Sequence, residues 1–233
     1  MIALGYFIGV AFFPPDGGIG GIFIALGIWG FLTLLSLTSA DQILLSISGA
    51  QEITQEVHPQ LYNVVEEMKI AANLPAMPRI YIIPTPAVNA FATGLRPERS
   101  AIAVTSGLLE KMNRDELQGV VAHEMGHILN HDVRFMAMAA VMLGSITLIS
   151  EVFLRGMYYG GSRSRYSSGG RSRVGNGNAA MVILALVLAV LAPIFAQLLY
   201  FAISRRREYL ADATGARLTR YPEGLASALE KIA

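Results

Sequence analysis

Apolar residues gather in four long runs, residues 1–13, 19–38, 135–154 and 179–203, and between them the chain has the spacing of an ordinary globular protein. Residues 19–38 carry no charge, and a helix of that length spans the roughly 30 Å hydrocarbon core of a bilayer. Residues 135–154, interrupted only by Glu151, and residues 179–203, which contain Pro193 and Gln197, are expected to cross as a second hairpin. The first run reaches only about 20 Å as a helix and lacks the basic start of a signal peptide. It reads as a first membrane helix whose beginning is missing, joined to the next by the turn Pro14-Pro15-Asp16-Gly17-Gly18.

From residue 39 to 134 the periodicity changes. A short amphipathic helix is predicted over 41–49, lying near the membrane, and a helix over 58–72 with Leu61, Val64, Val65, Met68 and Ile70 on its apolar face. His58 precedes Pro59 at that helix start and reads as structural. Three β-rich pieces follow at 79–83, 89–93 and 101–105, which make a small sheet. Asn113 followed by Glu116 is a capping-box pair and starts a helix that continues to about residue 131. Four segments result: a membrane hairpin at 1–38, a globular segment at 39–134, a second hairpin at 135–203, and a returning segment at 204–233. The loop 155–178 inside the second hairpin holds five arginines and no acid among Gly and Ser, and is expected to be disordered.

Composition sharpens this reading. The chain is 53% hydrophobic and 15% charged with a mean hydropathy of +0.48, which is the balance of a membrane protein. A formal charge of +1 gives no basis for a nucleic-acid partner. There is no cysteine, so thiolate ligands and disulfides are excluded and any metal must be held by His and carboxylate groups.

The chemistry concentrates in Val121-Ala122-His123-Glu124-Met125-Gly126-His127. On a helix, His123 and His127 lie about 40° apart around the axis and about 6 Å along it, so both can face one ion. Glu124 falls on the flank of that face, where it can take a proton from an activated water without being a ligand. His131 lies about 12 Å from His123 along the axis and cannot join them, and reads as a solvated helix-end residue. Asp132 reads as a local cap or salt bridge. The third ligand is expected in Arg205-Arg206-Arg207-Glu208-Tyr209-Leu210-Ala211-Asp212, where Glu208 and Asp212 share a helical face. Glu208 would ligate, and Asp212 would accept a hydrogen bond from the far nitrogen of a ligating imidazole. Glu151, at the far end of its run, is expected to reach lipid headgroups or to pair with Arg155, four residues on. Asn89, Ala90, Phe91 and Ala92 fit either an edge strand that binds substrate backbone or a plain core hairpin. Tyr209 and Arg217 are the weak suggestions for a second oxyanion donor.

Four blocks in order, Val88 to Gly94, Thr105 to Leu109, His123 to His127 with Asp132, and Ser204 to Asp212, resemble the HtpX family of membrane-embedded zinc metallopeptidases, relatives of the CaaX prenyl proteases. The resemblance implies a mainly α membrane protein with an α+β zincin-like catalytic domain on a small sheet. It implies one zinc per chain on His123, His127 and Glu208, with Glu124 as general base. It also implies a catalytic domain facing the cytoplasm from the inner (plasma) membrane, and polypeptide substrates that are misfolded or damaged membrane proteins. Family members usually have a fuller first helix and continue past the equivalent of Ala233, so the chain is expected to be a fragment. The arginine count near the membrane ends, six on the catalytic side against five in the loop, does not set the orientation. A competing reading is an inactive pseudopeptidase or membrane scaffold that binds partners or anionic lipid, against which the intact His123, Glu124, His127 and Glu208 weigh.

Overall fold

Where the sequence is apolar throughout it forms long helices, and where apolar residues are spaced it folds into a mixed layer. The computed structural model describes residues 2–12, 17–160 and 176–232. The chain divides into two compact units: Met1–Ser36 with Met138–Ala202, and Leu37–Ala137 with Ile203–Ala233.

The first unit is helical. Helix α1 (Ile2–Phe12) meets the first part of α2 (Gly17–Ile47) through glycines. A Cβ on Gly9 would lie 2.1 Å from the Gly17 carbonyl oxygen, and one on Gly21 would lie 2.1 Å from that of Gly5, so only glycine permits this approach. The rest of the unit comes from α6 (Asp132–Gly160) and α7 (Asn176–Thr219), with Phe153 buried against Ala185 and Ala189. Among the described residues three helices are long and apolar enough to cross a membrane, within Gly17–Ser36, Asp132–Tyr158 and Val182–Thr219.

The second unit is the mixed layer. Its sheet runs β1-β2-β4-β3, from β1 (Gln51–Glu52), β2 (Arg79–Ile83), β3 (Ala90–Thr93) and β4 (Ala101–Thr105). Only the β2–β4 pair is parallel. Helices α3 (Pro59–Ala71) and α5 (Arg114–Leu129) bury Leu61, Val64, Val65, Val121 and Met125 with Ile102 and Val104 of β4 in one core. The short α4 (Ser106–Lys111) follows β4, and α8 (Pro222–Ile232) lies on α5, where a Cβ on Gly119 would meet the Leu225 backbone at 2.6 Å.

Caps set the helix starts. His58 Nδ1 accepts from the Leu61 N–H at the head of α3, and both capping-box hydrogen bonds of Asn113 and Glu116 are present at the head of α5. Three expectations differ from the structure. The helix predicted over 41–49 is the continuation of α2, because nothing between residues 38 and 47 breaks a helix. Strand β1, two exposed residues, carries no periodicity to read. Of the loop expected to be disordered, residues 155–160 and 176–178 are helical, and residues 161–175 lie outside the described residues.

Candidate metal centre

Helix α5 presents its motif because it is anchored at both ends. The capping box fixes its start, and at its end His131 takes a left-handed φ of 55°, which turns the chain sharply into α6. The partner face comes from α7. At 44 residues this helix is about 66 Å long, roughly twice the hydrocarbon thickness of a bilayer, and its second half belongs to the second unit. That half crosses α5 at close range: a Cβ on Gly126 would lie 3.1 Å from the Ala211 oxygen, and one on Gly215 would lie 3.1 Å from the His123 nitrogen. Small residues at the crossing let short carboxylates reach the imidazoles.

Three Lewis-basic atoms converge there. The Nε2 atoms of His123 and His127 stand 3.2 Å apart, and Glu208 Oε2 lies 3.5 Å from the first and 3.6 Å from the second. Each imidazole has a carboxylate at its other nitrogen. His127 Nδ1 is 3.0 Å from Asp132 Oδ2. His123 Nδ1 is 2.9 Å from Asp212 Oδ1, a charge contact out of line for a hydrogen bond, which leaves that buried nitrogen without an aligned partner. A carboxylate only accepts, so the contact with Asp132 calls for a proton on His127 Nδ1, and the same tautomer at His123 would turn both Nε2 lone pairs inward. Two lone pairs at 3.2 Å beside a carboxylate oxygen repel one another unless a cation sits between them. Ligands held tetrahedrally at about 2.0–2.1 Å from zinc stand about 3.3–3.4 Å apart, and the three edges of this triangle bracket that value. The donor set therefore fits zinc.

Glu124 does not enter the triangle. It is buried, and burial is the main effect that pushes its carboxyl above the usual carboxylate range, opposed by the neighbouring His123 and His127 and by a hydrogen bond from the Ala92 N–H. That hydrogen bond locates β3. In the β3–β4 register the Thr105 N–H donates to the Asn89 oxygen, so Asn89, Phe91 and Thr93 turn their backbone groups toward β4. Ala90 and Ala92 turn theirs to the free edge. Buried Thr105 fixes the start of this edge: its Oγ1 accepts from the Asn89 N–H and lies within hydrogen-bond reach of the Ala87 and Asn89 carbonyls. Gly107 packs where a Cβ would lie 2.2 Å from the Pro86 oxygen.

Asp132 makes the local pair read from the sequence, with His127, and a longer-range one besides. Asp132, read there as a local cap or salt bridge, is buried between His127 and Arg207, whose Nη1 is 3.0 Å from Asp132 Oδ1 and whose guanidinium lies 4.5 Å from the centre of the Phe135 ring. Of the remaining residues weighed, His131 is exposed, and Glu151 pairs with Arg155 at 3.4 Å. Tyr209 is exposed, and Arg217 lines a separate cavity with Asn130 and Arg220.

Residues 55–233 match the family model described as peptidase family M48. A protein named "Protease HtpX homolog" from Dictyoglomus turgidum is 49% identical over 213 residues, which cover 91% of this chain and 66% of that protein. One of the same name from Streptococcus pneumoniae is 45% identical over 231 residues, covering 98% and 75%. The chain thus spans about two thirds of the length of the Dictyoglomus relative. Among solved structures, S. mikatae Ste24p shares the fold, with a TM-score of 0.63 at 20% identity over 99% of this chain and 55% of its own.

Proposed function

The chain belongs to peptidase family M48, and from that membership we propose that it is a membrane-bound zinc metalloendopeptidase acting on misfolded or damaged membrane proteins. The observation that carries the reading is the convergence of His123, His127 and Glu208, each imidazole backed by a carboxylate. These three residues would hold one zinc per chain. When bound, zinc supplies Lewis acidity, which makes water a nucleophile near neutral pH and polarises the scissile carbonyl.

The protein's own groups do the rest. Glu124, with its pKa raised by burial, accepts the proton of the attacking water and returns it to the leaving amine. Asp132 holds the His127 ring in the tautomer that leaves Nε2 free, and Asp212 lies in charge contact with His123 Nδ1. Substrate backbone adds to the free edge of β3, where Ala90 offers its outward N–H and C=O and Ala92 its carbonyl, the Ala92 N–H being taken by Glu124. Asn89 and Phe91 face β4 with their backbone and position that edge. The catalytic unit faces the cytoplasm, which a cysteine introduced at Ser168 tests: a membrane-impermeant reagent should label it in intact cells, and labelling only after disruption would place the loop inside.

The enzymatic reading is tested by metal analysis of the purified chain beside cleavage of casein in detergent. One zinc per chain and chelator-sensitive cleavage are expected. A chain that binds no zinc and cleaves nothing would leave the membrane-scaffold reading in its place.

A further inference from the structure

In the second unit, four arginines outside the His123–His127–Glu208 triangle surround one cavity of about 410 Å³. Arg79, Arg96, Arg99 and Arg134 line it together with Asp41 and Gln42. All four arginines are exposed, and among the described residues none of them has a carboxylate within 4.0 Å. Arg79 has only the Tyr81 ring, 5.7 Å away. Asp41 is committed elsewhere: its Oδ1 accepts from Thr93 Oγ1 at 2.7 Å and from the Gly94 N–H at 3.3 Å. Beside the cavity, Glu98 borders a neighbouring hollow with Arg96, Arg99, His131 and Arg134. Counting both acids, the site keeps two more positive than negative charges, from four arginines against Asp41 and Glu98.

The depth of this cluster identifies its counter-ion. Asp41 lies three residues beyond Thr38, where the apolar run of α2 ends, and the helix continues unbroken between them, so Asp41 stands about 4.5 Å past that end. Arg134 sits in the first turn of α6, directly before the apolar run that begins at Phe135. The headgroup layer is about 5–8 Å thick on each side of the hydrocarbon core. Asp41 and Arg134, each a few residues along the chain from an apolar run, therefore stand at the level of lipid phosphates. Guanidinium forks match phosphate oxygens in bidentate pairs, and unpaired guanidinium groups converging on one cavity repel each other until an anion joins them.

We propose that this cavity binds the phosphate headgroup of an anionic phospholipid. The inference rests on the membrane helices and the arginines and does not depend on the peptidase reading. It is tested on the full chain in detergent, titrated with dioctanoyl-phosphatidylglycerol or dioctanoyl-phosphatidylcholine and read by native mass spectrometry. Phosphatidylglycerol should bind at least tenfold more tightly, and Arg96→Gln with Arg99→Gln should remove about tenfold of that preference. Because the substituted residues are exposed, circular dichroism should be unchanged, and Arg134→Gln should weaken binding in the same direction. Arg205→Gln with Arg206→Gln, equally exposed near the membrane end of α7, should leave the preference intact. Equal affinity for the two lipids, or an equal loss in the control, would overturn the proposal. So would displacement of the lipid by inorganic phosphate at matching concentration, which would mark a soluble-anion site. If the double variant kept its lipid preference but cleaved acidic peptides with a higher KM, the cavity would be a substrate subsite instead.

Discussion

A methyl group at Gly215 measures how closely α7 must lie on α5 for the metal centre to exist. The added Cβ would stand 3.1 Å from the backbone nitrogen of His123, 3.2 Å from its Cα and 3.3 Å from the Ala122 carbonyl carbon. Carbon contacts settle at about 3.5–4.0 Å, so the second half of α7 has to withdraw by about 0.3–0.5 Å. A helix moves as a body, and Asp212 and Glu208 lie three and seven residues before Gly215. Their separations from the imidazoles, 2.9 Å for Asp212 and 3.5–3.6 Å for Glu208, would grow by a similar amount. Metal sites tolerate about 0.2 Å. Zinc affinity in Gly215→Ala should therefore fall about ten- to hundredfold, the range seen when groups supporting a ligand are disturbed. Stability should change less: the helix gains about 1 kcal/mol from losing a glycine while overpacking costs about 1–3 kcal/mol, a net loss of about 0–2 kcal/mol. Competition with a chelating dye in detergent gives the first number and unfolding of the metal-free chain the second. Gly144→Ala, whose Cβ would meet no heavy atom within 4 Å, is the control and should leave zinc affinity unchanged. Wild-type zinc affinity in Gly215→Ala would refute the claim that the helix crossing sets the ligand geometry.

Glu124→Gln should keep stoichiometric zinc and lose peptidase activity, since the carboxylate lies outside the ligand triangle; loss of zinc there would show the role is wrong. Glu208→Ala should lose zinc on dialysis while Glu151→Ala, an exposed partner of Arg155, retains it, as metal analysis of the two purified variants would show. Glu116 is held at about 2 by hydrogen bonds from Lys231, Ser227 and the Asn113 N–H, below its usual 4.5, so the folded chain binds fewer protons than the unfolded one. Its stabilisation is complete above about pH 4.5 and lost as pH falls toward 2, and Glu116→Gln should flatten unfolding midpoints against pH across that window.

The metal centre was legible where its residues lie on one helical face. His123 with His127 and Glu208 with Asp212 are i, i+4 pairs, and the capping box at Asn113 and Glu116 marks where their helix starts. A local pair for Asp132 is legible, but that its partner is His127 is not, for a geometric reason. Five residues after His127 on a continuous helix it would point about 140° away. It reaches His127 Nδ1 only because His131 adopts a left-handed conformation that folds the chain back beneath the ring. No spacing rule encodes a turn whose pivot is a single non-glycine residue. Arg207 was hidden in the same way, one of three consecutive arginines of which only the fold selects the one facing Asp132. The extension of α2 past residue 38 was missed because a fall in hydropathy was read as the end of a helix, although polarity alone breaks none.

The placement of Arg207 bears on how the centre assembles. His123 and His127 precede α6 and Glu208 lies in α7, so α5 alone carries two of the three proposed ligands and the third arrives only with α7. Arg207 sits one residue before Glu208, with its guanidinium over Phe135, at the start of the apolar run of α6, and its Nη1 on Asp132, which holds His127. Its contacts join the emerging half of α7 to the first turn of α6 and, through one carboxylate, to a ligand of α5. Metal affinity is therefore coupled to closure of the hairpin, because the free energy of binding is available only to the chain in which both helices have met.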